Sequence, residues 1–307
     1  MEQTSGPAVL ICLLGSFRLE RPGDTVALRR GAKAEVLLSY LALAEGYRAG
    51  QEVLCELLWP GTAAGRAGHC LRNLVHTVQQ LLREPLSGAP ALRRWAGGYR
   101  LNLDAGVAVD VDRFERAVRQ GERHWYAGTR AAAVACFERA TSLYRGDIAP
   151  GGDLATMVVR ERLRGLHLTA LGRLAEHRYA RGDHGGALEL AMRELAVDPC
   201  RESAHRLAML CYAGTGQRSQ AIRQYHLCRH ILHTEYAVAP EPATEAIFRR
   251  LCGNPGPVGL PAATAAGGEA LASVHRIPDA DSPGTGERRY RGGGTAVAVP
   301  LRTATGW

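Results

Sequence analysis

One stretch decides the fold: RAGHCLRNLVHTVQQLLREPLSGAPALRRWAGGYRLNL, residues 66–103. In its first half Leu71, Leu74, Val75, Val78, Leu81 and Leu82 fall on one face at helical spacing. That predicts a helix from Arg66 to about Arg83, halted near Pro85. In its second half Ala91–Trp95 and Tyr99–Leu103 flank Ala96-Gly97-Gly98, which reads as a hairpin.

Working back toward the N-terminus, Ala8–Leu14 is an apolar run followed by alternating Phe17 and Leu19, one or two strands. Pro22-Gly23-Asp24 is a turn and Thr25–Leu28 a short strand. Lys33–Leu43 carries Val36, Leu37, Tyr40 and Leu41 at helical spacing and ends at Gly46; Glu52–Leu58 is a second short helix, stopped by Trp59-Pro60-Gly61. Strands, three helices and a closing hairpin are the layout of a winged helix-turn-helix, with the third helix as recognition helix and the hairpin as wing.

Toward the C-terminus the pattern turns helical. Val111–Val118, Ala131–Tyr144, Ala155–Tyr179, Ala187–Val197, Ala204–Tyr212, Ala221–Leu232 and Thr244–Leu251 show helical apolar spacing between Gly, Asp and Pro breakers. Gly185-Gly186-Ala187-Leu188 returns 34 residues later as Ser219-Gln220-Ala221-Ile222, the tetratricopeptide period. Paired helices approach closely there and require a small residue; Ala187 and Ala221 fit, and Ala133 is a third candidate. From Gly253 to Trp307 the chain is rich in Gly, Ala, Pro and Thr without periodicity, so it is expected to be disordered. The expected fold is therefore mainly α: a winged helix-turn-helix (α+β, 8–104), an all-α tetratricopeptide-like helical repeat domain (105–252) and a disordered tail (253–307).

The 307 residues carry a net charge of +8, almost wholly from arginine, since Lys33 is the only lysine. Such skew reflects GC-rich coding more readily than a selected function, so the total permits nucleic-acid binding without arguing for it. Its distribution says more: residues 1–103 hold 12 basic and 8 acidic side chains, residues 104–252 hold 21 and 18, and the remainder 5 and 4. No run approaches the roughly 18–20 apolar residues of a membrane span, and no secretory signal is visible, so a cytoplasmic protein without membrane contact is expected. The eight cysteines form no CxxC pair.

Opposite the apolar face of the third helix runs a polar stripe: His69, Arg72, Asn73, His76, Gln79, Gln80 and Arg83. Any solvated amphipathic helix carries such a stripe. This one contains no acid, which a phosphate-lined groove would repel, and is rich in amides. Asn, Gln and Arg make bidentate contacts to adenine and guanine edges in the major groove. His69, Arg72, Asn73, His76, Gln79 and Gln80 are the candidate base readers. Arg29, Arg30, Lys33, Arg66, Arg83, Arg93, Arg94 and Arg100 are the candidate backbone and wing contacts.

Other chemistry finds little footing. His226, His230 and His233 share one helix, but no second ligand cluster accompanies them, and a solvated or packing face explains them better than zinc. Gly31-Ala32-Lys33 lacks the spacing of a P-loop, and neither GxGxxG after a strand nor GxSxG occurs. Asp110 and Asp112 read as helix-start residues rather than an acid–base pair. No enzyme, cofactor or metal is expected.

The ordered set of motifs resembles the SARP-type bacterial transcriptional regulators: an OmpR-like winged helix followed by a bacterial transcriptional activator domain. The motifs are Leu13-Leu14-Gly15-Ser16-Phe17, Lys33–Leu38, Leu57-Leu58-Trp59-Pro60 and Gly98-Tyr99-Arg100-Leu101, then Asp110–Phe114, Leu143-Tyr144-Arg145-Gly146, Asp198–Glu202, Ala221–Tyr225 and Ala239-Pro240-Glu241-Pro242. The resemblance implies sequence-specific binding to double-stranded DNA, typically promoter direct repeats, and transcriptional regulation, usually activation through RNA polymerase; a homodimer on DNA is compatible with it. Many members have an Arg-rich second half of the recognition helix where this chain has Gln79 and Gln80. No NTPase module follows and no receiver domain precedes, so neither ATP control nor sensor-kinase phosphorylation is expected. The rival reading is a helical-repeat protein–protein scaffold with a degenerate winged helix.

Overall fold

The computed structural model describes residues 7–26, 32–149 and 154–253. Arg29, Arg30, the end of the expected Thr25–Leu28 strand and the tail beyond Gly253 lie outside them. The described residues fall into two compact units, divided between Leu174 and Ala175.

The first unit opens with strands β1 (Val9–Cys12), β2 (Arg18–Arg21) and β3 (Asp24–Val26). Helix α1 (Lys33–Leu43), strand β4 (Arg48–Gly50) and helices α2 (Gln51–Leu58) and α3 (Ala64–Leu82) follow. Next come β5 (Leu92–Trp95), β6 (Gly98–Leu101) and β7 (Val107–Val109). Two sheets result, ordered β3-β2-β1-β7 and β4-β6-β5. The winged-helix order expected from the sequence is present, with two strands the sequence did not announce. β4 and β7 have three residues each, too few to display an alternation, and exist through distant pairing: β7 lies parallel to β1, and β4 antiparallel to β6.

Helix α1 buries Leu37, Leu38 and Leu41, α2 buries Leu54 and Leu58, and α3 buries Leu71, Val75, Val78 and Leu82. Burying side chains of this size is the main favourable term, about 1.5–3 kcal/mol each. α4 (Asp110–Tyr126) and α5 (Arg130–Leu143) pack antiparallel to one another over Phe114 and Phe137, both fully buried. Asp110 joins α4 to the first sheet. Its carboxylate accepts the Leu13 N–H at 2.9 Å and the Leu14 N–H at 3.0 Å, just beyond the end of β1. The capping expected of Asp110 is not what the structure shows: Val109 is the N-cap residue, without a side-chain cap bond, and the Asp110 carboxylate is turned to the strand end instead.

α6 (Leu154–Ala180) runs on into the second unit, which holds α7 (His184–Val197), α8 (Glu202–Gly214), α9 (Arg218–Tyr236) and α10 (Pro242–Cys252). Ala187 and Ala221, the two positions 34 apart, are both fully buried, as is Ala133 in the first unit. α7 starts where Asp183 accepts the Gly186 N–H at 2.8 Å. Tyr225 stacks on Phe248 with ring centroids 3.8 Å apart, in a core with Met209, Leu210, Ile247 and Leu251. The Glu202 carboxylate accepts the Glu241 N–H and the Thr244 hydroxyl, holding the start of α10 against α8.

Candidate nucleic-acid interface

The polar stripe of α3 is set by the helix period: once the 71/75/78/82 positions are buried, the positions between them face outward. Arg66, His69, Arg72, Asn73, His76, Gln80 and Arg83 are exposed along this helix. No acidic residue occurs between Ala64 and Leu82. Within the stripe the Asn73 amide meets His69 Nε2 at 3.2 Å, and the Thr77 hydroxyl donates to the Asn73 carbonyl. α2 begins close against this helix. A Cβ added at Gly68 would stand 3.0 Å from the Gln51 amide nitrogen, so the helix-turn-helix packs tightly there.

Gln79 is placed differently from its neighbours. It is half-buried, and its amide donates to the Leu92 carbonyl at 3.0 Å. The side chain therefore links α3 to β5, the first strand of the hairpin. Lys33 also has an internal partner: its ammonium donates to the Leu58 carbonyl, where α2 ends, and lies 4.4 Å from the Trp59 ring centroid. This lysine satisfies one of the carbonyls that a helix end leaves without an intrahelical donor.

The wing is a short hairpin. Gly97, at φ 78°, makes the turn, and the Gln51 N–H donates to its carbonyl at 2.9 Å, which brings the tip to the start of α2. Gly98 is required by close approach: a Cβ there would lie 2.0 Å from the Ala49 carbonyl oxygen. Leu92, Tyr99, Leu101 and Ala49 are buried.

The register puts Arg48 opposite Arg100 and Arg100 opposite Arg93. Residues directly opposite share a face, so three exposed arginines form one row across three strands spaced about 4.7–4.9 Å apart. Trp95 is on that face too, two residues from Arg93, and the Arg48 guanidinium sits 4.4 Å from its ring centroid. Arg93 also pairs with Asp104 at 2.9 Å, an exposed pair of small energetic weight. Arg94 points to the opposite face, 5.5 Å from the Tyr99 ring centroid. Like charges directly opposite repel, and an anion laid along the row relieves the repulsion. A phosphodiester backbone offers one.

Arg48 and Trp95 did not emerge from the sequence as interface residues. Fifty-two positions separate Arg48 from Arg100, and only the pairing of β4 with β6 joins them. The local signal is the Gly97-Gly98 pair, which marks backbone crowding at the wing without naming what crowds it.

Three buried thiols, Cys12, Cys211 and Cys228, are pushed up by burial, to about 12, about 11 and about 12, and act as apolar packing groups. His226, His230 and His233 are exposed on α9, and no group of three or more His, Cys, Asp or Glu side chains placed for a metal occurs among the described residues. Among the same residues, no helix is long and apolar enough to cross a membrane.

Residues 109–252 match the family described as bacterial transcriptional activator domain. The chain is 28% identical over 260 residues to the transcriptional regulatory protein MoaR1 of Mycobacterium bovis, covering 82% of this chain and 81% of that protein. It is 27% identical over 292 residues to the regulatory protein AfsR of Streptomyces coelicolor, covering 94% of this chain but 29% of AfsR. The transcriptional regulator RedD of the same organism is 29% identical over 244 residues, 76% of this chain and 68% of RedD. Among solved structures, Mycobacterium tuberculosis EmbR in complex with a low-affinity phosphopeptide superposes with a TM-score of 0.65 at 21% identity. That match covers 80% of this chain and 65% of the EmbR chain, and it establishes likeness of fold.

Proposed function

We propose that the chain regulates transcription by reading DNA through α3; the match of residues 109–252 to the bacterial transcriptional activator domain and the similarity to the regulators MoaR1, AfsR and RedD support this reading. The observation that carries this reading is the exposed, acid-free stripe of α3 beside the arginine row of the wing. α3 enters the major groove, where Arg72, Asn73, His76 and Gln80 meet base edges and His69 orients Asn73. Gln79 holds the wing strand against the helix. Arg66 and Arg83 flank the stripe, and Arg48, Arg93 and Arg100 meet phosphates, while Arg94 lies on the other face of the hairpin.

In this reading residues 8–104 bind DNA, residues 105–252 contact RNA polymerase or a second copy of the chain, and binding is to direct repeats near promoters. Sedimentation on duplexes carrying one or two copies of a selected site reports the number of chains bound.

The test of base reading compares specific with non-specific affinity. Asn73→Ala is expected to weaken binding to a selected duplex by about 1–3 kcal/mol while leaving random-sequence duplex binding unchanged. Arg100→Ala, in the row, is expected to weaken both and to lower the salt slope by about one. Unchanged sequence preference in Asn73→Ala would remove α3 from base reading.

A further inference from the structure

We propose that Tyr47 is a positioning residue that ties the arginine row of the wing to the first helix of the activator domain, through its hydrogen bond to Asp112. This rests on the reading of that row as a DNA contact.

Tyr47 lies in the turn between α1 and β4 with φ 58°, in the left-handed region, directly after Gly46 at φ 62°. Glycine takes that conformation freely. A residue with a Cβ is strained there, so the surroundings must hold it. The Tyr47 N–H donates to the Ala44 carbonyl at 3.0 Å. Its hydroxyl donates to Asp112 Oδ2 at 2.5 Å, a charge-assisted bond in a partly buried place.

Asp112 is a fixed anchor. It stands in the first turn of α4, and Asp110 in the same turn is locked to the Leu13 and Leu14 N–H groups. α4 belongs to the segment 109–252 that matches the activator domain. The residue after Tyr47 is Arg48, which opens β4, aligns with Arg100 and stacks on Trp95. The direction in which the chain leaves the left-handed turn thus sets where Arg48 points. An activator-domain carboxylate holds the turn, and the turn aims a wing arginine.

The test uses the full chain and a duplex that the wild type selects from a random pool, titrated at several salt concentrations. Tyr47→Phe keeps the ring and removes the hydroxyl. It is expected to lower affinity roughly threefold to tenfold and to reduce the log–log salt slope by about one, as Arg48→Ala does. Tyr47→Phe combined with Arg48→Ala is expected to bind no more weakly than Arg48→Ala alone, because both remove the same contact. Asp112→Ala, which breaks the bond from the other side, is expected to show the same slope and the same non-additivity; it carries the test if Tyr47→Phe does not fold. A purely structural tyrosine would change melting temperature without changing the slope. The proposal is overturned if Tyr47→Phe and Asp112→Ala retain the wild-type slope, or if their losses add in full to that of Arg48→Ala. A wild type without sequence preference would instead overturn the DNA reading itself, and the two failures are distinguishable in one titration series.

Discussion

Lys33, the one lysine of the chain, stands at the start of α1, where its charge suggested a phosphate contact. Its ammonium is turned to the Leu58 carbonyl and the Trp59 ring. Lys33→Ala is expected to lower stability by about 1–3 kcal/mol, the worth of a charged hydrogen bond in such a place, with the salt slope of DNA binding unchanged; paired melts and titrations check this. Gln79 is the parallel case, reading as one more amide of the stripe in a helical projection but bonded to the Leu92 carbonyl. The helix period sorts side chains into inward and outward and is blind to neighbours that arrive from another element. A third residue, Glu194, is buried with Arg201 Nε 2.8 Å away. Burial pushes its carboxyl up to about 7 from 4.5, against the pull of Arg201. A carboxyl raised on folding adds stability that is full below about 4.5 and is lost as pH rises through about 7. Buried His205, whose pKa is lowered by desolvation, works in the opposite direction. The difference between wild type and Glu194→Gln isolates the carboxylate: the variant is expected to gain on the wild type in melting temperature from pH 5 to pH 8. A constant difference would mean the carboxylate is not strained.

At the scale of elements, the long periodic segments were legible. α1 runs over the expected residues Lys33–Leu43, and the third helix and hairpin lie within a residue or two of their expected bounds. Ala187 and Ala221, the small residues at the 34-residue offset, are both fully buried. The three-residue strands β4 and β7 were not legible, and the loss mattered, because β4 carries Arg48 and Tyr47 precedes it. Gly98 tests that element. Its Cβ would collide with a backbone oxygen of β4, so Gly98→Ala must separate β4 from β6. Faster amide hydrogen exchange across both strands and a weaker hold on DNA are the expected outcome, while exchange in α7–α9 stays as in the wild type. The stripe of α3 behaves in the reverse manner. Alanine is the best helix former, so replacing the outward residues of α3 leaves the element standing and removes only what it presents.

For the molecule as a whole, the net charge of +8 was the least informative number, and its placement the useful one. Cations stand in register on the wing sheet and along one helix, while the core of each compact unit is mostly apolar, with a few buried polar groups such as Asp110 and Glu194. α4 belongs to the activator-domain match yet packs in the same compact unit as the first sheet, through Asp110 and Asp112. Breakers in the sequence mark where helices stop; they do not mark which helices fold together. In the proposed reading, the choice of DNA sequence rests with side chains on one face of α3. This is tested most directly by selecting duplexes from a random pool with two chains: the wild type, and one in which Arg72, Asn73, His76 and Gln80 are all alanine. The wild type is expected to enrich a defined motif. The alanine chain is expected to enrich none while keeping salt-sensitive binding to any duplex through the wing arginines. Recovery of the same motif by both chains would contradict the account.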